Sequence, residues 1–442
     1  MENNISKKFT FRELLIFSMP SIIMMMFMSL YTIVDGFFVS RFVGTDALSA
    51  INIAYPVINI IIGIGVMFAT GGSAIVALKM GEGRSDEAKS YFTLIVITVI
   101  ILCSFISIVT LIFKESIVSF LGAKGSITEL VSDYLTILMI FAPINGLQLL
   151  FQSFFVTAGK PTLGLILTVM GGIFNMIFDY ILIVPFEMGI KGAAYATVGS
   201  YFIPVIGGII LFITNKKGLC FRKPILDIFI LLKSSSNGSS EMVTNLSGSI
   251  ITFLFNIYML KYAGSNGVAA ITAALYVQFL MTAFYLGFSI GVAPVISYNY
   301  GASENNFLKY IIKNSIKFIF ICSFIIFIIA FLGSEIISSI FFGYGTEVYN
   351  ISIYGLKIFA ISFLFSGINI FGSGMFTALG NGFISALISF SRTLLFTTMG
   401  IVVLSIIFEI TGLWLAIPFG EFITVIVTIY CFKMLKTKYN IF

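Results

Sequence analysis

Asp35 and Asp179 stand alone in long apolar runs, YTIVDGFFV and NMIFDYILI. A carboxylate at the centre of a membrane-spanning helix costs ~2.5–3.5 kcal/mol on insertion scales. Such residues persist where they handle an ion, a proton or a cationic ligand. Asn175 precedes Asp179 by one helical turn and shares its face. With the Thr197 hydroxyl these residues offer two carboxylates, an amide and an alcohol. Oxygen ligands of this kind suit hard cations, and paired carboxylates can instead share a proton.

Such a cluster needs a frame that holds its members at one depth. The chain is 59% hydrophobic and only 10% charged over 442 residues, with a mean hydropathy of +1.08. Soluble domains carry roughly 25% charged residues. The composition therefore points to an all-α integral membrane protein. Apolar segments of about 20 residues, long enough to span, fall at roughly 13–39, 47–78, 91–113, 128–156, 162–185, 190–214, 239–261, 267–299, 308–332, 347–378, 383–407 and 410–435. They are numbered helices 1 to 12 in that order. Lys7, Lys8 and Arg12 precede the first run like the start of a signal peptide, but the run is too long and has no small-residue cleavage pattern.

Placing the N-terminus inside puts eighteen lysines and arginines in inner segments, Lys217, Lys436 and Lys438 among them, against five in outer loops. That asymmetry predicts both termini on the cytoplasmic side. Helices 1 and 5 then run outward and helix 6 inward. At about 1.5 Å per residue, Asp35, Asp179 and Thr197 share a layer very roughly 5–10 Å under the outer surface.

The halves repeat. A shift of 220 residues lays FVGTDALSAINIA (42–54) over YAGSNGVAAITAA (262–274), and Gly71/Gly291, Gly81/Gly301, Ser153/Ser373, Thr157/Thr377 and Ala158/Ala378 continue the match. Each half begins inside and holds six helices, so the repeat is parallel, about an axis along the membrane normal. The expected division is an amino-terminal lobe 1–215, a cytoplasmic linker 216–238 and a carboxy-terminal lobe 239–442. Residues 225–232 of the linker are expected to lie on the inner surface as a short helix.

In the second half Lys357, Arg392 and Glu421 fall deep in helices 10, 11 and 12. Arg392 and Glu421 are expected to form a buried ion pair. Glu241 reads as interfacial, near the inner end of helix 7. Tyr31, Met28, Gln148, Gln152, Asn245, Asn256, Tyr276 and Gln278 are candidates for lining a substrate cavity.

Several chemistries are excluded. With no histidine, His-based catalysis and His metal sites are absent. The four cysteines show no paired spacing, so no disulfide framework or Cys-x-x-Cys site is expected. Gly81-Glu82-Gly83-Arg84 is no phosphate loop. Basic residues spread over six loops give no nucleic-acid surface.

These residues resemble the multidrug and toxic compound extrusion (MATE) family, especially its bacterial MepA-type branch. The resemblance runs through YTIVDGFFVSRFVGTDALSA (31–50), KMGEGRSDEAKSYF (79–92), NMIFDYILI (175–183), MGIKGAAYAT (188–197), SYNYGASENN (297–306) and GLWLAIPFGE (412–421). It implies a six-plus-six helix bundle whose two lobes flank a central cavity. In members with an amino-lobe cation site, an Asp on helix 1, an Asn and an Asp on helix 5 and a Thr on helix 6 hold the ion. Those roles would fall on Asp35, Asn175, Asp179 and Thr197. The helix 1 proline linked to bending would be Pro20. Some branches use carboxylates deep in carboxy-lobe helices 7, 8 and 10; the chain departs from them in helix 8, which has no acidic residue, and in helix 10, which offers Asn369.

The expected function is therefore secondary active export from a bacterial cytoplasmic membrane. Na+ or H+ would enter in exchange for amphiphilic, mostly cationic small compounds, by alternating access. No enzyme activity, cofactor or obligate protein partner is expected; membrane lipids are the surroundings. The alternative is a flippase for a lipid-linked oligosaccharide or other amphiphilic lipid. A non-transporting scaffold would fit the helices but not the clustered ligands.

Overall fold

A computed structural model describes residues 4–216 and 218–439. Lys217 and the side chains of Lys436 and Lys438 lie outside the described part. The described residues are helical almost throughout, with no strand among them. In hydrocarbon every backbone N–H and C=O must find a partner within its own segment, and helices achieve that.

Among the described residues, nine stretches are long and apolar enough to span, and a bent pair adds a tenth. Two of the stretches are double. The helix Ile228–Gly301 breaks at Gly264 (φ 61°, ψ −157°), and 382–434 breaks at Glu409 (φ 49°, ψ −126°). Twelve spans result. Helices 1, 2 and 3 are Phe11–Phe38, Thr45–Gly81 and Ser85–Ile112. Helix 4 is Ser126–Ile140 plus Ala142–Thr157, bent by 58°. Pro143, without an N–H, opens its second segment. Helices 5 and 6 are Pro161–Ile183 and Gly189–Thr214. Helix 7 is 228–263, helix 8 is 265–301 and helix 9 is Asn305–Leu332. Helix 10 is Glu347–Phe359 and Phe363–Ala378, joined by one 3-10 turn. Helix 11 begins at Gly382 and carries π turns at Ser391–Leu395 and Gly400–Leu404; helix 12 is 410–439.

Helix 3 shows how these spans sit between core and lipid. Phe92, Ile95, Val99 and Cys103 are buried, while Ile101, Phe105, Ile108 and Ile112 are exposed. Both stripes keep helical spacing, and both are apolar because lipid replaces water outside.

The repeat is visible in the caps. Gly83 and Ser303 both take positive φ, and helices 3 and 9 start two residues later with 28 residues each. After that the register slips by one. The short outer helix Lys114–Phe120 has 7 residues and its counterpart Ser334–Phe341 has 8. Gly159 (φ 71°) therefore matches Gly380 (φ 74°). The pairings of Ser153, Thr157 and Ala158 at a constant shift are one residue out.

The linker also differs from expectation. Phe221 packs among Phe92, Phe212 and their neighbours, with ring centroids 5.2 Å from Phe92. The Arg222 N–H donates to Thr93 Oγ1 at 3.0 Å, and the Arg222 guanidinium pairs with Asp86. Asp227 then caps the helix that begins at Ile228. That helix continues straight into helix 7 instead of lying on the surface as a separate piece.

Close contacts between the halves gather toward the ends expected to face the cytoplasm. A Cβ on Gly81 would lie 2.0 Å from the Tyr298 carbonyl oxygen, and one on Gly301 2.2 Å from that of Leu78. Gly238 meets the Met67 carbonyl at 1.9 Å and Gly291 meets Ser18 Cβ at 2.7 Å in the same sense. At the opposite ends, Cβ atoms on Gly36, Gly44 and Gly264 would meet nothing within 4 Å. Helix 1 belongs to both halves. Its Leu14 and Ile22 join the core of the second half, whereas its outer end packs on helix 5.

Candidate functional site

The site is built where helix 1 meets helix 5. Phe27, Tyr31 and Asp35 form a stripe at four-residue spacing. Gly172 lets that stripe approach: a Cβ there would lie 2.5 Å from Phe27 Cε1 and 3.0 Å from Tyr31 Cδ1. One and two turns farther along helix 5 stand Asn175 and Asp179, 1% and 0% exposed. Asp179 lies within electrostatic reach of Asp35. Gly171 lets helix 6 come alongside, where a Cβ on Gly171 would lie 2.9 Å from the Ser200 carbonyl oxygen; Thr197 stands on that facing helix. Pro20 lies inside helix 1, which stays helical through it.

The polar atoms of this group are orphaned. Asp35 Oδ1, both Asn175 amide atoms, both Asp179 oxygens and Thr197 Oγ1 are buried without a protein partner. A buried unsatisfied polar group costs about 1–3 kcal/mol, more if charged. Among the described residues no lysine or arginine lies within ion-pair distance of either aspartate. Two facing carboxylates without a donor between them fit a small hard cation or a shared proton.

Tyr31, Tyr55, Tyr134 and Tyr201 lie within electrostatic reach of Asp35. Tyr55, Tyr134 and Tyr201 were missed from sequence. Tyr201 follows Thr197 by one turn, a usable signal; Tyr55 and Tyr134 have no local mark separating them from lipid-facing aromatics.

The candidate cavity residues scatter. Gln148 and Gln152 are buried, at 4% and 6% exposure, and Gln152 Nε2 donates to Met28 Sδ at 3.2 Å. Asn245 turns its amide onto the Glu241 carbonyl of its own helix at 2.8 Å. Asn256 is exposed and Gln278 half-buried. Tyr276 lies near Tyr55 and stacks on Phe341 with centroids 6.3 Å apart.

In the second half Arg392 Nη1 contacts Glu421 Oε1 at 3.4 Å, with both side chains largely buried. Asn369 Nδ2 donates to Glu421 Oε2 at 2.7 Å, and Thr428 Oγ1 donates to Asn369 Oδ1 at 2.9 Å. Arg392 sits in a π turn, a local widening that recurs at functional sites.

The family profile MatE matches residues 20–181 and 241–403, once in each half. The chain is 23% identical over 415 residues to the multidrug export protein MepA of Staphylococcus saprophyticus, covering 92% of this chain and 89% of that one. It is 24% identical over 379 residues to MepA of Staphylococcus aureus strain MSSA476, covering 84% and 82%. A solved structure described as MATE in the straight conformation superposes with a TM-score of 0.91 at 23% identity, covering 97% and 96% of the two chains. One described as the outward-facing conformation of a multidrug resistance MATE family transporter gives 0.90 at 24% identity over the same shares. The twelve helices, their repeat and the two profile matches identify the chain as a member of the multidrug and toxic compound extrusion (MATE) family of membrane transporters.

Proposed function

We propose that the protein is a secondary active multidrug exporter that takes in Na+ or H+ and expels amphiphilic, mostly cationic compounds. The observation that carries this reading is the uncompensated pair of Asp35, half-buried near the end of helix 1, and Asp179, fully buried on helix 5. Asn175 and Thr197 complete the oxygen set. The moving bodies would be lobes 1–215 and 239–442, joined by 216–238, with both termini in the cytoplasm.

Helix 1 is the coupling element in this account. Its outer end carries Asp35 into the amino-lobe site; its inner end packs on helix 8 through Ser18 and Ile22. Pro20 lies within that inner contact and leaves one carbonyl of the preceding turn without its N–H partner, a point of easy bending. Ion or proton capture removes negative charge at one end and changes the preferred packing at the other. Only a difference in ion affinity between the two states drives the cycle; a hundredfold difference amounts to about 2.7 kcal/mol.

The flippase alternative loses support from the ion pair. Arg392, one of two deep cations, is already matched by Glu421, so no wide basic surface is available for a polyanionic headgroup. The test is ethidium accumulation in bacteria expressing the protein. Wild type should hold intracellular ethidium several-fold lower than empty cells, and Asp35→Asn should abolish the difference at equal membrane abundance. Undiminished export by Asp35→Asn would sink the role given to the carboxylate.

A further inference from the structure

Residues 4–10, ahead of helix 1, touch both halves of the molecule. Thr10 caps the helix: its hydroxyl accepts from the Glu13 N–H, and the Glu13 carboxylate accepts from the Thr10 N–H at 2.8 Å. Lys7 Nζ reaches the same carboxylate at 2.6 Å. The chain therefore enters helix 1 from a fixed direction. It lies first on the carboxy-terminal half. Phe9 is 7% exposed and joins that half's core, with its ring centroid 5.3 Å from that of Phe17. Lys8 pairs with Glu304, just ahead of helix 9, at 3.1 Å. The Phe11 N–H donates to the Tyr310 hydroxyl at 3.1 Å, and the Phe11 ring meets Phe318 edge-on with centroids 6.0 Å apart.

Farther from the helix the chain crosses over. Ile5, in the 3-10 turn Asn4–Ser6, is 0% exposed and packs into the core of the amino-terminal half, whose other buried members run from Val39 to Leu219. The same turn lies against the helix pair 228–301. Its level follows from helix 1. Ser18 lies beside Gly291 and Ile22 beside Gly287 on antiparallel helices, and the same register puts Phe11 level with Tyr298. Residues 4–10 therefore sit at the end of the seam where Gly81 meets Tyr298 and Gly301 meets Leu78. The linker is held in a related way, with Arg222 on Asp86 at the start of helix 3. Its described residues 218–227 put no apolar side chain into the carboxy-terminal cores, so the crossing belongs to the helix 1 side.

We propose that residues 4–10 form a latch across the inner seam, seated on the carboxy-terminal half by Lys8, Phe9 and Phe11 and closed by insertion of Ile5 into the amino-terminal half. Parting of the inner ends separates the two cores that the latch joins, so Ile5 must withdraw first. Ile5 thereby favours the state with the inner face shut, and its loss shifts the balance toward inner opening. The inference rests on the alternating-access reading above, in which that seam opens in each cycle.

The test is amide hydrogen exchange of the purified full chain, followed by mass spectrometry. In Ile5→Ser, amides at the seam, in 74–82 of helix 2 and 295–302 of helix 8, should exchange about tenfold faster or more, the factor expected when one buried aliphatic side chain no longer holds the closed state. Amides 94–103 of helix 3, which stay within one half, should keep the wild-type rate. Ile5→Leu keeps an apolar contact, and its seam should exchange several-fold more slowly than that of Ile5→Ser. Deletion of residues 2–6 leaves Lys8, Phe9 and the helix cap in place and should reproduce Ile5→Ser. Seam exchange at the wild-type rate in both Ile5→Ser and the deletion overturns the latch. Equal acceleration in helix 3 also overturns it, because Ile5 would then be an ordinary core residue. No substrate enters this measurement; absence of ethidium efflux by wild type overturns the export reading instead.

Discussion

At the residue scale, the proposed site joins Asp35 and Asp179 with the Asn175 amide and the Thr197 hydroxyl, and among the described residues no lysine or arginine lies within ion-pair distance of either aspartate. Removing one oxygen ligand should weaken the site without destroying it. Thr197→Val is expected to raise the Na+ or proton concentration for half-maximal transport about tenfold, roughly 1.4 kcal/mol, the scale of one hydrogen-bonding group. The check is the ion dependence of transport; an unchanged half-maximal concentration removes Thr197 from the ligand set. The aspartates were legible in the sequence because a carboxylate in an apolar run is costly and conspicuous. Tyr55, Tyr134 and Tyr201 were not, because a tyrosine in a span looks the same facing a site, a neighbour or lipid. Hydropathy starts helix 7 at about 239, whereas the linker residues 228–238 are already helical.

At the element scale, the spans and most of their ends follow from hydropathy, but their interruptions do not. The bend at Phe141 has Pro143 as a marker; the π turns of helix 11 at Ser391–Leu395 and Gly400–Leu404 have none. Such turns change the angular position of everything beyond them, and Arg392 stands in the first of them. The Arg392–Glu421 pair gives this scale its prediction. Arg392→Met leaves Glu421 buried and unpaired and should destabilise the carboxy lobe by about 3–5 kcal/mol, whereas Arg392→Met with Glu421→Met should recover most of the loss. Denaturation midpoints in one detergent measure both. A double variant no more stable than the single one would mean that Asn369 and Thr428, not the ion pair, hold these helices together.

At the scale of the whole molecule, the inner contacts of the two halves obey the repeat. Gly81 on Tyr298 is the image of Gly301 on Leu78, and Gly71 with Gly238 is the image of Gly291 with Ser18. Backbone approaches this close admit no side chain, so the seam is either closed or open, a suitable boundary for a two-state switch. Cysteines introduced at Leu78 and Tyr298 should cross-link readily and stop transport, and reductant should restore it; full transport by the cross-linked protein would show that the seam need not open. The parallel repeat was legible from the glycines, but its one-residue slip was hidden in the short outer helix Ser334–Phe341.

The central claim is that Asp35 and Asp179 couple ion entry to export. It is tested most directly in inside-out proteoliposomes loaded with either Na+ or acid, by following uptake of a fluorescent organic cation with wild type beside Asp179→Asn. The account predicts uptake driven by one of the two gradients in wild type and none in Asp179→Asn reconstituted to the same level. Gradient-driven uptake by Asp179→Asn equal to wild type would contradict it.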